Sequence, residues 1–275
     1  MIHILRQWQK GNLGGVCAHL ARNGLKWHLI EAWKVFAPGR EGYREQVPVC
    51  SSRGEAIIVL GGPASACNLA EPGFRESYLS QEATFLRNAI ESRVPVLGVC
   101  LGHQLLTVLH GGRVQPGEQV TGIEPVLLES AGREHWLFAG ISSPMWVYEN
   151  HHDHVTKVPP SANVLARSSG CGVEAASWSE LVASVQFHPE FVEYEATSLV
   201  KSIEAVGKVV PTPTPTPQQE RNLPPEYSRA TARLFDNFFY RAGLIGRPCW
   251  HGSVFYISSC APQHACIVPA QISAA

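Results

Sequence analysis

Neither sign of charge dominates the 275-residue chain: 22 Lys+Arg stand against 23 Asp+Glu, a formal net charge of −1. Charged residues reach only 16%, below the roughly 25% of an average soluble domain. That balance excludes a basic nucleic-acid footprint and an acidic solvating tail. No stretch approaches the roughly 18 continuous apolar residues of a membrane span. The opening run MIHILRQWQKGN has no apolar signal core. None of the eight cysteines forms a C-x-x-C pair, and their number is far short of a disulfide scaffold. The expectation is therefore a cytoplasmic protein with free thiols, and with neither a membrane nor a nucleic-acid partner. Neither G-x-x-x-x-G-K-[ST] nor G-x-G-x-x-G occurs, so no phosphate loop is expected.

Hydrophobic residues make up 45% of the chain, enough for a sizeable core. Met1 to Leu5 reads as a strand, Val16 to Arg22 as a short helix, and Trp27 to Ile30 as a second strand. The apolar run EAIIVL, 55–60, breaks into Gly61-Gly62-Pro63. A helix follows over Ser80 to Glu91, with Ala83, Phe85, Leu86 and Ile90 on its inner side. The run 94–99 then enters Cys100, and a helix leaves over Leu101 to His110. Apolar strands alternating with helices predict an α/β fold: a mostly parallel central sheet flanked by helices, with a sharp elbow at Cys100.

After Gly112 the texture changes to short β-rich runs at 123–128, 144–148, 163–167, 173–178 and 181–187. They read as antiparallel or mixed strands grafted on the parallel core. The Pro-Thr repeat VVPTPTPTPQ favours an extended conformation. It reads as a surface insertion at about 209–224, because Ala230 to Gly243 is an amphipathic helix needing a partner. Ala232, Leu234, Phe235, Phe238 and Phe239 form its apolar side. One domain over 1–246 is expected, with 247–275 a tail of undetermined structure.

A strand running into Cys100 and a helix leaving it form a tight turn, with Gly98 and Gly102 permitting close approach. The thiol would project over the carboxyl ends of the strands, where α/β sheets bind ligands. A helix N-terminus favours the thiolate. On these grounds alone, a nucleophile and a buried structural cysteine stand equally open. A nucleophilic thiol needs a base, and His188 follows the strand 181–187 at the same sheet edge. Glu190 lies two residues on, placed to accept from the imidazole. The combination describes a Cys–His–Glu triad. A backbone N–H at Gly61-Gly62 and that of Leu101 are candidates for an oxyanion hole, the alternative being an ordinary Gly-Pro turn after a strand. The run Glu149-Asn150-His151-His152-Asp153-His154 invites a metal reading. No cysteine or histidine outside it is visibly placed to close a site, so the expectation is a polar loop beside the substrate pocket or simple surface polarity. Neither metal nor cofactor is expected.

These pieces resemble the class I glutamine amidotransferases, the triad family with a Cys–His–Glu site. The resemblance rests on IIVLGGP at 57–63, VPVLGVCLGHQLL at 94–106, Gly111-Gly112-Arg113 and VQFHPE at 185–190. Looser matches are His151-x-Asp153-x-Val155 and Leu165-Ala166-Arg167-Ser168. The resemblance spans about residues 1–208 and resumes at 230–243, and it implies a flavodoxin-like sheet.

It also implies Cys100 as nucleophile, His188 as general base then acid, and Glu190 as the orienting carboxylate. Gly62 and Leu101 would supply the oxyanion amides. Gln104, with His151 and Asp153, would lie at the substrate. The implied reaction is attack on a γ-carboxamide, loss of the amine, and hydrolysis of a γ-glutamyl thioester without a cofactor. Two departures leave alternatives open. No synthetase module accompanies the domain, which implies a separate ammonia-accepting partner. Residues 175–180 also lack the Phe-Arg or Tyr-Arg common in the family. A stand-alone hydrolase of other γ-glutamyl amides is one alternative, its pocket modified near Trp146, Tyr148 or 149–154. A non-catalytic partner subunit that kept the fold is the other.

Overall fold

A computed structural model describes residues 1–9, 13–38, 54–67, 69, 77–191 and 225–248. The Pro-Thr insertion and residues 249–275 lie outside the described residues. One sheet of nine strands organises the molecule. In chain order these are β1 (Ile2–Arg6), β2 (Trp27–Glu31), β3 (Ala56–Val59), β4 (Val96–Val99), β5 (Arg113–Leu128), β6 (Met145–Lys157), β7 (Asn163–Arg167), β8 (Ala175–Ser179) and β9 (Val182–Val185). Their spatial order is β2-β1-β3-β4-β9-β8-β7-β5-β6. Neighbours from β2 through β9 pair in parallel, and the remaining pairs are antiparallel. The parallel half and its antiparallel extension are thus as the sequence predicts.

The helices are α1 (Gly14–Arg22), α2 (Ala32–Val35), α3 (Tyr78–Glu91), α4 (Leu101–Leu109), α5 (Ser130–Glu134) and α6 (Pro225–Arg241). Side chains alternate across a strand, and the central strands are apolar on both faces. Ala56 and Ile58 of β3 with Leu97 and Val99 of β4 pack in one cluster with α1 and α6. Ile57, Val59 and Val96 pack in a second with α3 and α4. Helices therefore cover both faces of the parallel half. The five apolar residues of α6 singled out in the sequence are all buried, and the four largest belong to the first cluster, which is what anchors α6.

Two differences from the sequence reading matter for the site. First, β5 begins ten residues earlier than the apolar run suggested, at Arg113, and pairs along β6 with an irregularity between Pro116 and Val120. Those first residues are mostly exposed, so they carry no apolar alternation to be read. Second, residues 149–154 are not a loop but the middle of β6, with Thr121 opposite Asn150 and Val120 opposite His151. The inward positions of this stretch are Glu149 and His151, so the buried face is polar. Val114 and Val155 belong to the cluster containing Leu105 and Leu106, which brings this arm back against α4.

Helix α3 holds an unexpected charge. Its N-cap Ser77 accepts from the Ser80 N–H, and its inner face buries Glu82 beside Leu79 and Leu86. Gln7 Nε2 donates to Glu82 Oε1 at 2.6 Å, and Oε2 is buried without a partner. Burial pushes the carboxyl up to about 8. A folded value above the unfolded one means stability is full below about pH 4.3 and declines as pH rises through about 8. Glu82→Gln keeps the acceptor for Gln7 without the ionisation. Thermal melts from pH 5 to 9 are expected to show a shallower alkaline decline in this variant. An unchanged slope would contradict a buried titrating Glu82.

Candidate active site

Strand β4 ends at Val99, and Cys100 makes the turn into α4 with φ 50° and ψ −104°. A non-glycine residue at positive φ is strained, and its neighbours hold it there. The Cys100 N–H donates to the Val185 carbonyl at 2.9 Å, and its carbonyl accepts from the Gln104 N–H at 3.1 Å. The side chain thereby leaves the strand axis above the sheet's carboxyl edge, at 6% exposure.

His188 and Glu190 follow β9 in the adjacent turn. His188 Nδ1 donates to Glu190 Oε1 at 2.7 Å, and both side chains are buried. Several elements fix this turn. The His188 N–H donates to the Tyr148 carbonyl of β6 at 2.8 Å, and the Gly15 N–H of α1 to the Glu190 carbonyl at 2.5 Å. Tyr227 of α6 donates its hydroxyl to the His188 and Phe191 carbonyls at 3.0 and 2.7 Å. Phe191 packs edge-on against the imidazole at 5.1 Å. Tyr227 is a support that sequence reading missed, and Tyr148, named there only as a residue near the pocket, is a second one. Their signal, an aromatic in a strand or helix, is indistinguishable from ordinary core.

Burial disfavours the imidazolium, but the Glu190 carboxylate and the Cys100 sulfur overcome it, and His188 stands well above its usual value. Nε2 has no hydrogen-bond partner in the resting geometry, so the Cys100 effect is chiefly that of nearby charge. The stabilisation from this charged pair is full below the ordinary histidine value of about 6.5. It is lost as pH rises through the raised value.

Gly61 explains how thiol and imidazole come together. A β-carbon there would meet His188 Cε1 at 2.9 Å and Cys100 Cβ at 3.1 Å. The space of the absent side chain is thus filled by both members of the pair. Gly61→Ala is expected to push them apart and reduce kcat by about 100-fold, the cost of misplacement near 1 Å, with little loss of folding stability. Kinetics beside a melting curve checks this, and a near-normal kcat would contradict it. Gly62 passes equally close to Gln7. The first-turn N–H of Leu101 has no acceptor within α4.

The other expected site residues lie along β6. Gln104 is 3% exposed and donates to the Asp153 carbonyl at 3.2 Å and toward Gln186 Oε1 at 3.4 Å. Asp153 accepts from Ser65 Oγ at 2.5 Å, tying β6 to the segment after Gly62. His151 turns inward at 4% exposure: Nδ1 meets the Asp153 carbonyl at 3.1 Å and Nε2 lies 3.3 Å from Glu149 Oε2. His103, next to the elbow, is structural. Burial lowers it to about 3, so it is neutral, bridging the Val173 carbonyl and Ser184 Oγ.

Known proteins are similar to this chain in sequence and in architecture. The family model for glutamine amidotransferase class-I matches residues 41–202. A glutamine-hydrolyzing GMP synthase subunit of Pyrococcus abyssi is 42% identical over 142 residues, 50% of this chain and 68% of that protein. The corresponding subunit of Methanococcus vannielii is 37% identical over 191 residues, 69% of this chain and 90% of that one. A solved glutamine amidotransferase from Thermotoga maritima superposes with TM-score 0.63 at 18% identity, covering 88% and 96% of the two chains. One from Methylobacillus flagellatus gives 0.63 at 21%, covering 92% and 98%. At such identities these structures speak for the fold.

Proposed function

Because the chain belongs to the class I glutamine amidotransferases, cysteine-dependent amidohydrolases, we propose that Cys100, His188 and Glu190 are its triad and glutamine its substrate. The observation that carries this assignment is the strained Cys100 elbow beside an imidazole already paired with Glu190 at 2.7 Å. The charged His188 stabilises the Cys100 thiolate, which attacks the γ-carboxamide carbon. The N–H groups of Gly62 and Leu101 receive the oxyanion. His188 then gives its proton to the leaving nitrogen, ammonia departs, and a γ-glutamyl thioester remains. Water, deprotonated by His188, hydrolyses the thioester to glutamate. Gln104, His151 and Asp153 border the substrate space from the β6 side.

The relatives named as subunits of glutamine-hydrolyzing GMP synthase support a further reading. The ammonia passes to a separate synthetase subunit that binds this domain. Glutamate release by the purified chain, with Cys100→Ala as control, tests both statements. Slow turnover that prefers glutamine and rises on adding a synthetase partner is the expected outcome. Faster Cys100-dependent cleavage of a γ-glutamyl anilide than of glutamine would assign the stand-alone hydrolase instead. Inertness toward every γ-glutamyl substrate and toward thiol-directed glutamine analogues would indicate a non-catalytic partner.

Glu190→Gln keeps the hydrogen bond but removes the charge that raises His188. Its kcat is expected to fall at least about 100-fold. The alkaline limb of the kcat profile for glutamine is expected to move to lower pH, because the imidazolium that protonates the leaving nitrogen then loses its proton earlier. An unmoved profile would show that Glu190 does not set the charge of His188.

A further inference from the structure

The buried polar face of β6 does not stand alone. The connection between β7 and β8 carries Cys171 and Glu174 against it, and the two segments together assemble metal-ligand chemistry of a kind the run 149–154 lacked by itself. One donor atom each from His151, His154 and Cys171 lies within 4.8 Å of the other two. Glu149, His151 and Glu174 satisfy the same condition, so the two groups share His151. We propose that this chain binds a divalent ion of zinc type through His151, His154 and Cys171.

The hydrogen bonding of the two imidazoles favours ligation. His151 Nδ1 faces the Asp153 carbonyl at 3.1 Å, and His154 Nε2 faces the Glu118 carbonyl at 2.8 Å. A carbonyl only accepts, so each of these nitrogens carries the proton, and the opposite nitrogen of each ring is left with its lone pair. Metal-bound histidines are oriented in this manner, the distal N–H held by a carbonyl.

The donors are also buried and short of partners. His151 Nε2, Glu174 Oε2 and both oxygens of Glu149 are sequestered from solvent with no hydrogen-bond partner. Cys171 is a free thiol at 2% exposure. Two carboxyl groups and a thiol packed together are costly as anions. A divalent cation would neutralise them. The Glu174 carboxyl beside them is fixed by the Ser168 hydroxyl, which donates to its Oε1 at 2.6 Å. Ser168 Oγ also accepts from the Cys171 N–H at 3.0 Å, fixing the loop that presents the thiol.

Two imidazoles and a thiolate suit zinc better than magnesium or calcium, which want oxygen alone. Binding would displace the thiol proton and any carboxyl proton into solvent. No step of the reaction passes through the ion. Its place is behind the catalytic turn. Glu149 follows Tyr148, whose carbonyl holds the His188 N–H, and the Gln186 N–H bonds the Glu174 carbonyl at 2.7 Å. A bound ion would therefore clamp β6 to the strand that delivers His188.

The test is metal binding to the full chain, prepared reduced and stripped with a chelator. Titration with Co²⁺ or Cd²⁺ is expected to give one equivalent and a thiolate-to-metal absorption band. The band should survive in Cys100→Ser and vanish in Cys171→Ser. His154→Gln, at a partly exposed position, should fold normally and weaken zinc binding at least about 10-fold, as a chromophoric chelator in competition would read. Zinc should raise the melting temperature of wild type and leave that of Cys171→Ser unmoved. Failure of the folded wild-type chain to bind, or binding that persists in both Cys171→Ser and His154→Gln, would overturn the proposal. Neither readout depends on glutamine hydrolysis, so it stands or falls apart from the triad.

Discussion

Replacing Cys100 by alanine is expected to cut glutamine hydrolysis by at least about 10⁴-fold, the scale on which loss of a nucleophile acts. The elbow makes a second, less ordinary prediction. At φ 50° and ψ −104° any β-carbon is strained, by about 1–3 kcal/mol for a residue held in such a region. Alanine keeps that strain and glycine removes it. Cys100→Gly should therefore be as inactive as Cys100→Ala and melt at a higher temperature. For a chain of this length each kcal/mol is worth roughly 2–4 °C. Parallel melting curves decide the matter. Equal melting temperatures for the two variants would mean that the strain is relieved elsewhere, and a Cys100→Ala enzyme with residual turnover near wild type would remove Cys100 from the chemistry.

The largest expected effect on folding comes from Gly102, in the first turn of α4. A β-carbon there would collide with the carbonyl oxygen of Val59 and also approach the Val59 side chain at 2.9 Å. The obstacle is backbone of a central strand, which cannot rotate aside as a side chain can. Helix α4 must then lift from β3. Overpacking of a core typically costs about 1–3 kcal/mol, and a contact against sheet backbone belongs at or beyond the top of that range. Gly102→Val, being β-branched, should be worse than Gly102→Ala. The expected result is poor recovery of folded Gly102→Val. Gly102→Ala should be folded but less stable by about 3 kcal/mol, with kcat reduced at least about 100-fold because the elbow moves with the helix. Denaturant titration and kinetics on the alanine variant test this. Wild-type stability there would show that α4 does not pack as closely as described.

The half of the molecule that holds the proposed triad was legible in the sequence because its pieces are local. Cys100 sits between an apolar strand run and a helical run, and His188 and Glu190 are two residues apart at the end of another strand. Parallel strands then bring their carboxyl ends to one edge as a matter of topology. The α6 helix was legible from Leu234, Phe235, Phe238 and Phe239, whose spacing demands a buried partner. The start of β5 and the continuation of β6 were not. Their residues are exposed or polar, and pairing with each other, rather than apolar alternation, makes them strands. Glu82 was hidden for a related reason: a charged residue on a helix is read as outward, and only the approach of Gln7 shows that it faces in.

What the sequence determined by itself is the family and the order of its motifs along the chain. The runs 98–104 and 185–190 carry the resemblance on which the proposed nucleophile, base and carboxylate rest, and the strand–helix rhythm around them specifies one sheet. What only the tertiary structure decided is which distant side chains share an interior. Gly61 is glycine because the thiol and the imidazole occupy the space of its side chain. The run 149–154, which in sequence had no outside ligand, receives Cys171 and Glu174 from a connection further along the chain. Strand register and the return of the β5–β6 arm onto α4 set these encounters. They are products of packing between segments separated in sequence, where no periodicity or local spacing carries the information.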